Sequence, residues 1–390
     1  MKRNCPKIIA TVIIIFGLLV TIPIVDTIIS GPVAASDIFV GLDIGYGDDQ
    51  TAIEQIDKVA DYVNLIVLGS LDITMNTENL TRVCDYIFQK GLHFIVYVGF
   101  GEGSEDAPPR GPSSQFFNNA IDRYGDKFLG VYLFDEVGGK LMDGAHSVNL
   151  TAADTYSDAA ILYTHHLNFY LGNVSQFYAP ADFPLYTSDY ALFWYNYVAG
   201  YDVVFTEYVG NQSREIATGL CRGAAKTLNK DWGVIITWSH ELESFVENPE
   251  QLYDDMVLAY QNGAKYIVVF NSPAQFTPPT QYGTLTEKHL EKMQQFWNYI
   301  HHKPSVDLYL ANTAFVLPKD YSYGFRGPDD KIWGKWEPDT LSPQVWANVQ
   351  QLLDAHAMSL DIVYETRIDS QTLTLPYNRL IYWNGTVIQK

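Results

Sequence analysis

An alternation repeated eight times restricts this chain more than any other feature: a short apolar run, then in most repeats a stretch with helical patterning. The runs are Ile38 to Gly47, Val63 to Ser70, His93 to Phe100, Phe128 to Gly139, Pro184 to Leu192, Tyr201 to Gly210, Trp232 to His240 and Lys265 to Pro273. Helices are expected after the first run through Ala60, then over Glu78 to Lys90, Ser113 to Tyr124, Ala152 to Leu171, Arg214 to Leu228, Gln251 to Asn262 and Thr286 to His302. Short runs rich in strand-forming residues read as parallel strands buried on both faces, and strand followed by helix calls for right-handed crossovers. Eight such units in residues 37–304 match a closed (β/α)8 TIM barrel. An open doubly wound sheet is the structural alternative, but no Gly-rich phosphate loop opens its first helix.

Residues 305–390 do not make a ninth unit. They offer the strand-like VDLYLANTAFVLP, a loop from Lys319 to Asp339 with Trp333 and Trp336, a helix from Pro343 to His356, and the strands LDIVYE and RLIYWN. That is half of a flavodoxin-like layer, expected to pack on the barrel as a small α/β C-terminal domain. Trp333 and Trp336 either help wall the cleft or join the two parts.

Residues 1–36 are set apart from the fold. Lys2, Arg3 and Lys7 precede an apolar run from Ile8 to Val25, and Val33-Ala34-Ala35 offers small residues before Ser36. That order makes an export signal peptide, and the run is also near the length that spans a bilayer, so an N-terminal membrane anchor through residues 8–25 stands beside it. Either reading places the bulk of the chain outside the cytoplasm, secreted or tethered to the membrane. Five N-glycosylation acceptors agree with that placement: Asn79, Asn149, Asn173, Asn211 and Asn384. Cys84 and Cys221 fall in helices on different sides of the expected barrel, so both read as small core residues rather than a disulfide.

A formal charge of −20 on 390 residues disfavours nucleic acid and anionic lipid as the main partner, because phosphate would be repelled. Neutral ligands such as oligo- or polysaccharide remain open.

Barrel enzymes carry their working residues at the carboxyl ends of strands. Here those ends supply Asp43, Tyr97, Asp135, Glu136, Asp189, Glu207, Trp238, His240, Glu241 and Asn271. Acids dominate. Glycoside hydrolysis commonly uses two carboxyls, one protonated to assist the leaving oxygen and one ionised to attack or to activate water. Glu136 ends the fourth strand and Glu207 the sixth, so the first is expected as general acid/base and the second as nucleophile or second carboxylate. Asp135 and Glu241 are the reserves. Asp43, Tyr97, Asp189, Tyr190, Tyr208, Trp238, His240 and Asn271 are expected to bind substrate, with Trp194 a further rim aromatic. Each has a plainer reading: capping or loop bonding for the polar residues, core packing for the aromatics.

The phrases LFDE (Leu133 to Glu136), FTEY (Phe205 to Tyr208) and IITW (Ile235 to Trp238) resemble the acid/base, nucleophile and sugar-platform strand ends of barrel glycoside hydrolases. Through YTSDYAL, CRGAAKTLNKDWGVIITW and NGAKYIVVF the whole chain resembles a group of uncharacterised exported archaeal proteins with a glycoside-hydrolase-like barrel. The tail is similar in pattern to the flavodoxin-like domain that follows the barrel in some β-galactosidases. The resemblance implies a hydrolase-like barrel acting on carbohydrate; a non-catalytic surface barrel that binds glycan or protein is the alternative. Two departures matter. The large retaining clan has Asn-Glu on strand four and its nucleophile on strand seven, whereas Asp135 precedes Glu136 here and Glu207 falls on strand six.

No cofactor or metal site is expected. Gly99 to Gly103 lacks dinucleotide spacing, the adjacent pairs His165-His166 and His301-His302 point to different helix faces, and no zinc or Gly-x-Ser-x-Gly pattern is present.

Overall fold

The computed structural model describes residues 38–100, 109–145, 147–240, 245–272, 283–302, 308–309, 311–365, 367–368, 371–372 and 376–389. The leader and Glu241 lie outside them. Among the described residues no helix is long and apolar enough to cross a membrane.

Eight parallel strands close into a ring: β1 (Phe39–Ile44), β2 (Leu65–Leu68), β3 (His93–Phe100), β4 (Phe128–Asp135), β5 (Leu185–Asp189), β6 (Val203–Val209), β7 (Asp231–Thr237) and β8 (Tyr266–Asn271). Each pairs with the next in chain order, and β8 returns to β1 in register from Phe39 with Tyr266 to Ile44 with Asn271. This is the expected TIM barrel. Side chains alternate along each strand, and the two faces fill different cores. Leu65, Val67, Ile95, Tyr132, Tyr186, Phe205, Ile235 and Tyr266 fill the barrel interior. Their chain neighbours, such as Ile66, Val96, Val204 and Ile236, pack outward against the helices.

Around the ring run α1 (Asp49–Val59), α2 (Thr77–Gln89), α3 (Ser114–Tyr124), α4 (Tyr156–Tyr178), α5 (Phe193–Ala199), α6 (Arg214–Leu228), α7 (Pro249–Gln261) and α8 (Glu287–His302). Their starts are chemically marked: Asp48, Ser113 and Ser213 cap α1, α3 and α6, and capping boxes start α4 at Thr155 with Asp158 and α7 at Asn248 with Gln251. The α4 box corrects the expected start at Ala152. The fifth run also ends earlier than Leu192, at Asp189. Its carboxylate accepts the amides of Tyr190 and Ala191 and turns the chain into α5, which the sequence reading lacked. Cys84 and Cys221 are buried free thiols.

The tail folds as a small mixed sheet, order β10-β9-β11-β12, from β9 (Thr313–Leu317), β10 (Leu360–Tyr364), β11 (Arg379–Tyr382) and the antiparallel edge β12 (Val387–Gln389), with α9 (Ser342–His356). It seats on α6. A Cβ on Gly219 would stand 2.9 Å from the Leu360 carbonyl oxygen, and one on Gly223 2.8 Å from that of Ile362, so glycines there permit the close approach. Between them Arg222, 4% exposed, donates to Asp361 at 2.7 Å, Asn262 at 2.6 Å and the Met358 carbonyl at 2.6 Å. Trp333 is fully buried against Tyr163 and Tyr195, and Trp336 packs on Tyr156, so both join tail to barrel.

Candidate active site

A cavity of about 1240 Å³ opens at the carboxyl ends of the strands. It runs from Asp43, Tyr97, Asp135, Glu136 and Glu207 past Ile216 and Leu220 of α6 to Trp346 and Leu353 of α9. Strand parity decides which expected residues reach it. Asp43, Tyr97 and Glu207 share the inward face with Gly41, Ile95 and Phe205, and all three line the cavity.

β4 breaks parity to deliver its acids. Tyr132 faces inward and Leu133 outward, so Phe134 should face inward. Instead Phe134 takes φ 57° and packs outward on Tyr170, and the register with β5 shifts between Tyr132 and Asp135. Glu136 has φ 57° as well, and a short helix, Val137–Met142, follows at once. Two non-glycine residues in the left-handed region cost on the order of 1–3 kcal/mol each. The consequence of the bulge is that Asp135 and Glu136, adjacent in the chain, both line the cavity.

Three carboxyls, those of Asp135, Glu136 and Glu207, gather around one ammonium. Lys140 Nζ lies 3.1 Å from Glu136 Oε2 and 4.0 Å from Asp135 Oδ2, and donates to the Asp135 carbonyl at 3.0 Å. Burial opposes its charge, but Asp135 and Glu136 outweigh that and raise its pKa. Glu207 is 4% exposed; burial first, then the charges of Glu136 and Asp135, push its carboxyl well above the usual range. Asp135 is raised by desolvation and by Glu136, an effect weakened by its opening into the cavity, where 47% of its side chain is accessible. Burial and the Asp135 charge lift Asp43 to about 8, and Tyr97 is pushed up to about 12 by burial and the same carboxylate.

Ser188 was absent from the sequence-derived candidates and sits at the centre. Its Oγ is 2.8 Å from Asp135 Oδ1 and 2.7 Å from Glu207 Oε1, while the Tyr132 hydroxyl donates to the same Asp135 oxygen at 2.9 Å. A serine hydroxyl carries one proton, so it serves one carboxylate, and the other carboxyl must donate back. Parity with Tyr186 was the available signal for Ser188. Lys140, Trp346 and Arg326 were also absent, and nothing in their local sequence marks them.

Tyr190 lines the cavity too, its ring over Gly139 and its hydroxyl donating to Asp143 at 2.6 Å. The other expected substrate residues lie on the opposite parity. Asp189 accepts from the Gly138 and Gly139 amides at 2.8 and 2.7 Å and from Asn196 at 2.9 Å, anchoring the short helix after β4. Tyr208 is buried against α6, its hydroxyl 2.5 Å from that of Thr218. Trp238 donates to the Phe270 carbonyl at 3.1 Å and packs on His289. Asn271 bonds Gln55 at 3.2 Å and the Leu285 amide at 2.9 Å. Trp194 is buried against Tyr364 of the tail. None of these five lines the cavity. The His240 side chain lies outside the described residues; its backbone pairs with Phe245. Of the glycosylation acceptors, Asn149, Asn211 and Asn384 are exposed and Asn79 and Asn173 partly so, with Asn211 on the cavity rim.

No family model matches the sequence. No curated protein matches it either. Solved structures do match in fold. The β-galactosidase of the psychrophilic Marinomonas ef1 superposes with a TM-score of 0.54 at 10% identity, covering 88% of this chain and 72% of that one. The β-galactosidase of Bacillus circulans sp. alkalophilus gives 0.54 at 9% identity over 88% of this chain and 67% of its own. GH5_18 from Streptomyces cattleya, solved in complex with GlcNAc, gives 0.53 at 11% identity over 89% and 99%. The chain thus has a TIM barrel with distant structural similarity to glycoside hydrolases. At these identities the likeness is one of fold.

Proposed function

We propose that this protein is a glycoside hydrolase whose paired carboxyls are Glu207 and Glu136. One observation carries the reading: the two line the same cavity in unlike charge environments, Glu207 buried and raised by burial and by the charge of Glu136, Glu136 paired with Lys140. Glu207 is buried, shares Ser188 with an Asp135 that already accepts from Tyr132, and is therefore the group that holds a proton. Glu136 is ion-paired with Lys140. Acid and ionised partner are thereby assigned in the reverse of the order expected from the strand-end phrases. Retaining or inverting chemistry follows from the separation of the two carboxyls, roughly 5 Å in the first case and roughly 6.5–9.5 Å in the second. The basic and apolar leader supports an extracytoplasmic setting with surface or environmental polysaccharide as substrate.

A panel of aryl glycosides tests this. Glu136→Gln should lose about 10²–10⁴-fold in kcat on every hydrolysed substrate, and Glu207→Gln a similar factor only where the leaving group is poor, because a good one departs without a proton. Glycan binding without hydrolysis across the panel would move the assignment to a non-catalytic glycan-binding barrel.

A further inference from the structure

We propose that the cavity takes a glycan joined to an aliphatic chain, with the chain lying between α6 and α9. This rests on the reading of Glu207 and Glu136 as the hydrolytic pair and names the leaving group for it.

Two helices from different parts of the fold supply one stretch of the cavity wall. α6 contributes Ile216, Ala217 and Leu220, and α9 contributes Trp346, Gln350 and Leu353. Both spacings follow a single face of a helix. Five of the six side chains are apolar and the sixth is an uncharged amide. Leu220, Trp346 and Leu353 are only partly buried, so apolar surface is left open to the cavity. The charged groups of α6 are engaged elsewhere: Arg214 on Glu247 and Asp255, Arg222 on Asp361, Lys226 on the Ala311 carbonyl, and Glu215 with Ser213.

This stretch suits a hydrocarbon better than another sugar. A sugar ring carries hydroxyls around its rim, and each that leaves water needs a partner. Among these six side chains Gln350 alone could provide one. An aliphatic chain needs none and gains from every CH₂ it buries. A cavity of about 1240 Å³ also exceeds the roughly 300–1,000 Å³ of a usual small-ligand site, which leaves room for glycan and chain together.

Chain order decides which side of the scissile bond the hydrocarbon occupies. Val209 follows Glu207 by two residues on β6, shares its inward face and lines the cavity, and the backbone then turns through Gly210 to Ser213 into α6. The apolar route therefore starts beside Glu207. In the hydrolytic reading Glu207 carries the proton, and a general acid gives it to the departing oxygen. The aliphatic part is thus the aglycone. The glycosidic C–O bond breaks, its oxygen takes the Glu207 proton and leaves as an alcohol. Water supplies the hydroxyl on the anomeric carbon, and its other proton restores the pair.

Isothermal titration of the full chain with n-alkyl thioglucosides and thiogalactosides, ethyl to octyl and below their micelle concentrations, decides the matter, because the sulfur linkage resists hydrolysis. Expected in at least one series is a Kd that falls about two- to fourfold per added CH₂, with a heat-capacity change that grows more negative along the series. Leu220→Gln and Leu353→Gln should each weaken octyl binding about tenfold or more and flatten the series. Flat series with both sugars, or a chain-length dependence that survives both variants, would overturn the proposal. So would an oligosaccharide series whose affinity rises with each added sugar while alkyl chains add nothing, which puts glycan between the helices. Hydrolysis separates the two readings. If the chain-length dependence is found but neither O-linked octyl glycosides nor aryl glycosides are cleaved, the hydrolase reading fails and the chain site stands. If aryl glycosides are cleaved and kcat/KM for O-alkyl glycosides ignores chain length, the reverse holds.

Discussion

Glu207 and Tyr208 are neighbours in the chain and serve opposite faces of the same strand. Because side chains alternate with period two, one of the pair reaches the cavity and the other the helix layer. The same rule separates Ser188 from Asp189, Thr237 from Trp238 and Phe270 from Asn271. It was available in the sequence once the interior set was known, and the strand-end list ignored it. Asp43 carries a stability prediction. Its folded pKa is about 8 against an ordinary 3.8, so between these values the folded state holds a proton that the unfolded chain has released. The stability this contributes is complete below about pH 4 and lost as pH rises through about 8, on the order of 5 kcal/mol as an upper bound that water in the cavity reduces. Asp43→Asn removes the titration. It should resist urea better than the native chain at pH 9 and lose that advantage at pH 5. Glu247, raised to about 8 by burial and Asp255, titrates in both proteins and cancels from the comparison.

At the scale of elements, β4 and α6 do the positioning. β4 was legible as a strand ending in two acids, but its bulge was not, because Phe134 leaves the inward face only when Tyr170 of α4 offers it a place outside. α6 was legible from its periodicity, and its two glycines look like helix-weakening residues until β10 is laid across them. Gly223→Ala should destabilise the protein by about 1–3 kcal/mol in urea unfolding, because the Ile362 carbonyl cannot withdraw without moving the strand. Arg222→Met should cost about 3–5 kcal/mol, because Asp361, fully buried, loses its cation. A loss near zero for either would mean that the tail is not seated through α6.

For the molecule as a whole, the tail is part of the cavity. Gly324, Phe325 and Arg326 of its first loop and Trp346, Gln350 and Leu353 of α9 line the wall opposite the barrel strands. If the cavity binds an extended glycan, Trp346→Ala should raise KM about tenfold with kcat little changed, since the indole comes from α9 of the tail and not from the strand ends that carry the carboxyls, and its loss removes binding common to ground and transition state. A fall in kcat with KM unchanged would place Trp346 in the chemistry instead. By itself the sequence determined the eight-fold strand and helix alternation, the closed barrel, the separate small tail, and the delivery of acids to strand ends, because these depend on local periodicity and on which residues favour strands. The tertiary structure alone decided which acids meet, that Ser188 and Lys140 stand among them, and that α9 completes the wall. Those outcomes depend on barrel parity, one bulge and the docking of two units, and the residues that set them are far apart in the chain.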